Sequence, residues 1–189
     1  MKQATFFLIA LLALTLLGGC TSQQFVASSG WSGVAIGDNM VYAGARSGRM
    51  LALDVRDGKQ KAVYPPEGQD PLAGLYGTPA LADGVLYVGG YDGKVYALNP
   101  PNLTLKWQYP NDVSKVGSIV GGITVAKGFV VFGSSDGYVR ALEASSGLKV
   151  WDFKIGNKVW STPTVDGDTV YVGSLDHKLY ALSLQNGKP

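Results

Sequence analysis

Four segments of this chain share one frame, and that repetition limits the possible folds more than any other feature. They are "MVYAGARSGRMLALDVRDGK", "VLYVGGYDGKVYALNPPNLT", "FVVFGSSDGYVRALEASSGL" and "TVYVGSLDHKLYALSLQNGK". Gly44, Gly89, Gly133 and Gly173 anchor the copies, 40 to 45 residues apart, and Ala-Leu stands eight residues after each. In each copy a β-branched or aromatic pair runs into the glycine and a polar turn follows. Apolar and polar residues then alternate, which is the period of a strand. Gly48, Gly93 and Gly137 supply the positive φ that such a turn needs, and Asp92 and Asp136 are suited to bond its backbone. His177 replaces the glycine in the fourth copy and is expected in the same left-handed geometry. A second turn follows Ala-Leu. It leads to Trp107 and Trp151, each ten residues past its alanine, while the first copy has Ala62 there. A further strand precedes each glycine, entered through Thr78-Pro79, Thr162-Pro163 or the "WSGVAIGD" segment at Trp31. One copy is therefore four antiparallel strands in a meander, the blade of a β-propeller. The expected fold class is all-β.

One stretch invites a different reading. "YVGGYDGKVYAL", from Tyr87 to Leu98, contains Gly-Gly-x-x-Gly-Lys. A phosphate loop needs a helix after the glycines, with its N-terminal amides facing the anion. Here an alternating strand and then Pro100-Pro101 follow, so the stretch is a hairpin.

The segment "ALEASSGLKVW", from Ala141 to Trp151, resembles the tryptophan-docking repeat of quinoprotein-like propellers. "ALDVRDGKQKA" and "ALSLQNGKP" match that repeat in part. The resemblance covers residues 31–189 and implies rings of seven or eight blades. Trp107 and Trp151 on the outer strands are expected to dock on the next blade, near the alanines and the anchoring glycines Gly44, Gly89, Gly133 and Gly173. Four blades are countable, and the fourth stops at "NGKP", before its outer strand. Three arrangements stay open: part of a longer ring, a four-bladed ring closed by Gln23–Ala27, or two chains forming one eight-bladed ring.

The first twenty residues, "MKQATFFLIALLALTLLGGC", read as an export signal, with Lys2 ahead of an apolar run too short to span a membrane comfortably. Leu17-Gly18-Gly19-Cys20 resembles the bacterial lipobox, which implies a lipid on Cys20 and attachment to a membrane. Thr21 follows in place of the aspartate that favours inner-membrane retention, which leans towards the outer membrane or cell surface. Residues 21–30 are a tether or a ring-closing strand.

Composition narrows the chemistry. A net charge of +2 with scattered basic residues offers no stripe for nucleic acid. Cys20 is the single cysteine and His177 the single histidine, which rules out an internal disulfide and any cysteine-based or multi-histidine metal cluster. Quinoprotein dehydrogenases, as the family implies, bind pyrroloquinoline quinone and calcium using a vicinal cysteine pair and acidic ligands. That pair is absent, and Asp166 and Asp168 read as a hairpin turn. The same repeat occurs in non-catalytic lipoproteins, and the layout resembles the BamB family of outer-membrane assembly lipoproteins. This implies a scaffold without catalysis or cofactor, binding envelope proteins through one loop face. Two long connections, Tyr64–Tyr76 and Tyr109–Ser118, are expected on that face. Two alternatives remain: a quinone-dependent dehydrogenase or its remnant, and a surface polymer- or carbohydrate-binding propeller using Tyr64, Tyr76 and Tyr109.

Overall fold

A computed structural model describes residues 30–189. The export segment 1–20, Cys20 and residues 21–29 of the expected tether lie outside the described residues. The described residues form 15 strands in four separate antiparallel sheets. The first blade holds β1 (Val34–Gly37), β2 (Met40–Gly44), β3 (Met50–Asp54) and β4 (Gln60–Tyr64). The second holds β5 (Ala80–Ala82), β6 (Val85–Gly89), β7 (Val95–Asn99) and β8 (Thr104–Tyr109). The third holds β9 (Thr124–Ala126), β10 (Phe129–Gly133), β11 (Tyr138–Glu143) and β12 (Lys149–Lys154). The fourth has β13 (Thr164–Asp166), β14 (Thr169–Gly173) and β15 (Leu179–Ser183). Every sheet runs in chain order, so each copy of the repeat is one meander. The inner strands β1, β5, β9 and β13 touch in succession, and the outer strands lie at the rim. The fold is an all-β propeller.

Strand patterning explains the packing. β6 is buried at every residue, because both of its faces are covered. Val85 and Tyr87 join the core shared with the third blade, and Leu86 and Val88 the core shared with the first. An apolar run without alternation is what a doubly covered strand requires. The apolar interior therefore lies between blades, in three successive layers. Burying one aliphatic or aromatic side chain there contributes about 1.5–3 kcal/mol.

The Ala-Leu pairs mark a structural irregularity. In each complete blade the pairing between third and outer strands shifts register between these two residues, at Ala52/Leu53, Ala97/Leu98 and Ala141/Leu142. Ala97 lies opposite Trp107, and Ala141 opposite Trp151. The bulge re-aims the outer strand, and the alanine leaves room for the indole that stands across from it. His177 has a φ of 66°, the left-handed turn conformation its position calls for.

Candidate functional site

The tryptophans define how blades meet. The Trp107 indole nitrogen donates to the Ala144 carbonyl at 3.0 Å, and that of Trp151 to the Leu184 carbonyl at 2.7 Å. The Tyr87 hydroxyl donates to the same Ala144 oxygen at 3.2 Å. Each indole lies against a turn glycine of the next blade. A Cβ at Gly147 would stand 2.6 Å from Trp107, and one at Gly187 would stand 2.5 Å from Trp151. The anchoring glycines seat something else. A Cβ at Gly44 would meet Leu75, at Gly89 Ile119, and at Gly133 Val159, each an apolar residue of the segment entering the next blade. Gly173 has only Ser161 of its own blade nearby. The sequence pointed to the indoles and to glycines at the blade junctions, and the glycines that lie against the rings themselves are Gly147 and Gly187. Gly147 and Gly187 are found by reading six residues past the alanine.

The first junction is built differently. Ala62 leaves the indole space empty, and Leu103, at the position of Gly147, fills it from the other side. Leu103 is 1% exposed, belongs to the first interblade core with Ala62 packed against that core, and keeps a φ of 54°. The Tyr42 hydroxyl, counterpart of Tyr87, has no hydrogen-bond partner among the described residues.

The hairpin turns and the long connections gather on one face of the arc. Backbone amides stitch them together: Leu72 to Gly48, Tyr91 to Gly74, Val116 to Gly93, and Ser135 to Ser118. Long side chains add straps. Arg49 donates to the carbonyls of Pro65, Pro66 and Gln69, the latter two at 2.9 and 2.7 Å. Lys94 donates to the Asp112 carbonyl at 3.0 Å. The position that alternates Arg49, Lys94 and Tyr138 reads from sequence as a tolerant solvent-facing strand start. In the first two blades it holds the loop that follows its own blade. At Tyr138 the cations come to the ring instead, with Arg140 at 4.7 Å and Lys154 at 4.3 Å from its centroid.

Carboxylates close the turns. Asp92 accepts from the Tyr96 hydroxyl at 2.5 Å and Asp176 from Tyr180 at 2.6 Å. Burial, and then the hydrogen bond to Asp92, push the Tyr96 phenol up, while the Tyr180 hydrogen bond holds Asp176 below the usual range. Asp136 receives Arg140 at 2.7 Å, Ser134 at 2.6 Å and the Gly117 amide at 3.2 Å. Burial raises its carboxyl, but the bonds from Arg140 and Ser134 outweigh that and leave it at about 2. Each of these carboxylates is engaged at its own turn, and Asp136 also ties that turn to the connection through Gly117.

Aromatic rings crown the stitched face. Trp31 meets Tyr76 edge-on at 5.3 Å, and Tyr76 meets Tyr91 at 5.3 Å. Trp31 is 77% exposed and Tyr91 48%. Trp160 stands further along, with its indole nitrogen on Ser135 at 2.9 Å and Lys158 over its ring. Exposed rings held by neighbours, on loops tied to a rigid sheet, make a ready contact surface for another protein. Of the three tyrosines expected at a carbohydrate surface, only Tyr76 belongs here. Tyr64 packs on Tyr96 at 5.6 Å and Tyr109 on Phe132 at 6.3 Å, both turned towards the interblade cores. Sequence reasoning missed Trp31, Tyr91 and Trp160 as a surface. The available signal is that Trp31, Tyr76 and Trp160 occupy one repeat position, just before the inner strand.

A family model described as "Outer membrane protein assembly factor BamB" matches residues 22–132 and 112–189. A protein of that description from Pseudomonas aeruginosa is 31% identical over 162 residues, covering 81% of this chain and 40% of the relative. The chain spans less than half the length of the curated assembly factors just matched. A quinohemoprotein alcohol dehydrogenase of Pseudomonas putida is 31% identical over 129 residues, covering 61% of this chain and 19% of the enzyme. The crystal structure of BamB from Moraxella catarrhalis superimposes with a TM-score of 0.65 at 22% identity, over 82% of this chain and 45% of that one.

Proposed function

The chain belongs to the family of the outer membrane protein assembly factor BamB, and from that premise we propose a non-catalytic scaffold in outer-membrane protein assembly. It is exported, anchored by a lipid on Cys20, and holds other envelope proteins on its loop face. Residues 1–20 are the signal, residues 21–30 the tether, and residues 31–189 the propeller repeats. The role rests on the crown of Trp31 and Tyr91, exposed on either side of the half-buried Tyr76, on a face whose loops are tied to the hairpin turns. A scaffold needs a surface that stays in place without its partner, because ordering loops on binding costs affinity.

Deleting the gene and measuring outer-membrane β-barrel proteins tests the role. Their levels should fall, return with the wild-type gene, and return poorly with Trp31→Ala/Tyr91→Ala expressed to the same level. Full rescue by that variant overturns the loop-face assignment. Cys20→Ser should abolish metabolic labelling with a radioactive fatty acid and release the protein from the membrane fraction. The dehydrogenase reading is tested apart from this: pyrroloquinoline quinone with Ca²⁺ should leave the melting temperature unchanged. Saturable binding together with dye-linked alcohol oxidation would replace the scaffold with an enzyme.

A further inference from the structure

The connection between the first two blades leaves its strand with acceptors and no donors. Pro65 and Pro66 follow β4, and neither has an N–H to give. Pro65 is buried, so its carbonyl needs a donor from elsewhere in the fold. Arg49 supplies it. One guanidinium nitrogen donates to the carbonyls of Pro65 and Pro66, and the other to that of Gln69. A single side chain thus holds the stretch from Pro65 to Gln69. All three bonds go to backbone oxygens, although the carboxylates of Glu67 and Asp70 stand in the same stretch. The strap therefore fixes the path of the chain and does not pair ions.

That path leads to the aromatic crown. Leu72 and Leu75 are buried in the core between the first two blades. The Leu72 amide bonds the carbonyl of Gly48, the residue before Arg49, and the Gly74 carbonyl accepts from the Tyr91 amide. Tyr76 follows and packs on Tyr91. Gly48 lets the connection come close, since a Cβ there would stand 3.2 Å from Pro71. The other connections are held less firmly at the same repeat position. Residues 110–123 receive one bond, from Lys94 to Asp112, and Val113 at their tip is fully exposed. Residues 155–163 form the shortest of the three connections, and Tyr138 stands where Arg49 and Lys94 stand in their blades.

We propose that Arg49 is the positioning residue of the loop face. It holds residues 65–71 in one path before any partner arrives, and so keeps Tyr76 and Tyr91 set for contact. The consequence rests on the scaffold reading above, and the strap itself rests on the three carbonyl bonds. Arginine suits the task because its planar fork reaches several acceptors at once, whereas a lysine ammonium is a point charge on a flexible stem. The second connection, strapped by Lys94 alone, is the compliant one.

Hydrogen exchange read by mass spectrometry, on the full chain in detergent, tests the strap. Arg49→Ala and Arg49→Lys should each speed exchange of residues 66–74 about tenfold. The strands of all four blades and residues 110–123 should keep wild-type protection. In the deletion strain, Arg49→Lys expressed to the wild-type level should restore outer-membrane β-barrel proteins only in part. Unchanged exchange at 66–74 in both variants overturns the proposal. Wild-type protection in Arg49→Lys alone overturns it too, because the fork is then not what holds the loop. Faster exchange throughout the blades would make Arg49 a general stabiliser and sink the positioning role, as would faster exchange at 66–74 with full rescue in cells. The scaffold reading fails differently: deleting the gene would leave barrel levels unchanged, and exchange would still decide the strap.

Discussion

The first blade junction and the two that follow solve one packing problem from opposite sides. At the second and third junctions the outer strand supplies bulk, Trp107 or Trp151, and the next blade supplies a glycine. At the first, the outer strand supplies Ala62 and the next blade supplies Leu103. Space is filled in both cases, but only the indole also donates a hydrogen bond. Both tryptophan junctions therefore have a satisfied carbonyl, and the second also has a satisfied tyrosine hydroxyl, whereas Tyr42 has no partner among the described residues. Volume is conserved along the arc, and polar pairing is not.

The most damaging way to break this comparison is Trp151→Ala. It should cost about 3–5 kcal/mol in urea unfolding, because a buried indole leaves a cavity and the Leu184 carbonyl loses its donor. Next comes exchange at the first junction. Ala62→Trp alone should cost about 1–3 kcal/mol or more through overpacking against Leu103, and Leu103→Gly alone about 2–4 kcal/mol through the cavity, less the relief of its positive φ. The double variant should recover part of the sum, with a coupling of about 2 kcal/mol in a double-mutant cycle. Simple additivity would show that the two positions do not share one space.

Removing single hydroxyls sharpens the contrast. Tyr87→Phe should cost about 0.5–1.5 kcal/mol through the lost bond to Ala144, while Tyr42→Phe should be neutral or stabilising because its hydroxyl is buried without a partner. The smallest effect concerns acid. The folded pKa of Asp136, about 2, lies below the ordinary carboxyl value of 3.8. Its contribution is therefore present above pH about 4 and lost as pH falls through about 2. Asp136→Asn should remove at most about 1 kcal/mol at neutral pH, once solvent screening is allowed for, and flatten stability over that window. Ser47, at the same place in the first blade, has no carboxylate to titrate.

Repetition made the blades legible, because four copies of one frame leave little freedom in strand order. The tryptophans were legible for the same reason. Their seats were not. Gly147 and Gly187 stand in a turn where glycine already has a local explanation, so a second role leaves no separate trace in sequence. Leu103 was hidden for the opposite reason: it departs from the repeat, and its meaning appears only beside Ala62, forty-one residues earlier in the chain. The loop face was half legible. The long connections show in the spacing of the copies, but which tyrosines face outwards depends on strand parity at the loop ends. Tyr64 and Tyr109 are the last residues of outer strands and turn in, while Tyr76 lies beyond the strand and turns out.

The exchange between Ala62 and Leu103 also bears on ancestry. A repeat that carries a tryptophan on its last strand and a glycine in the turn before it can be duplicated, lost or reordered, since any such unit fits any neighbour. The first two repeats have given up that freedom. A standard unit inserted between them would set its glycine against Ala62 and its tryptophan against Leu103, leaving a hole on one side and a collision on the other. Exchanging either blade alone would lose the fit that the pair conserves.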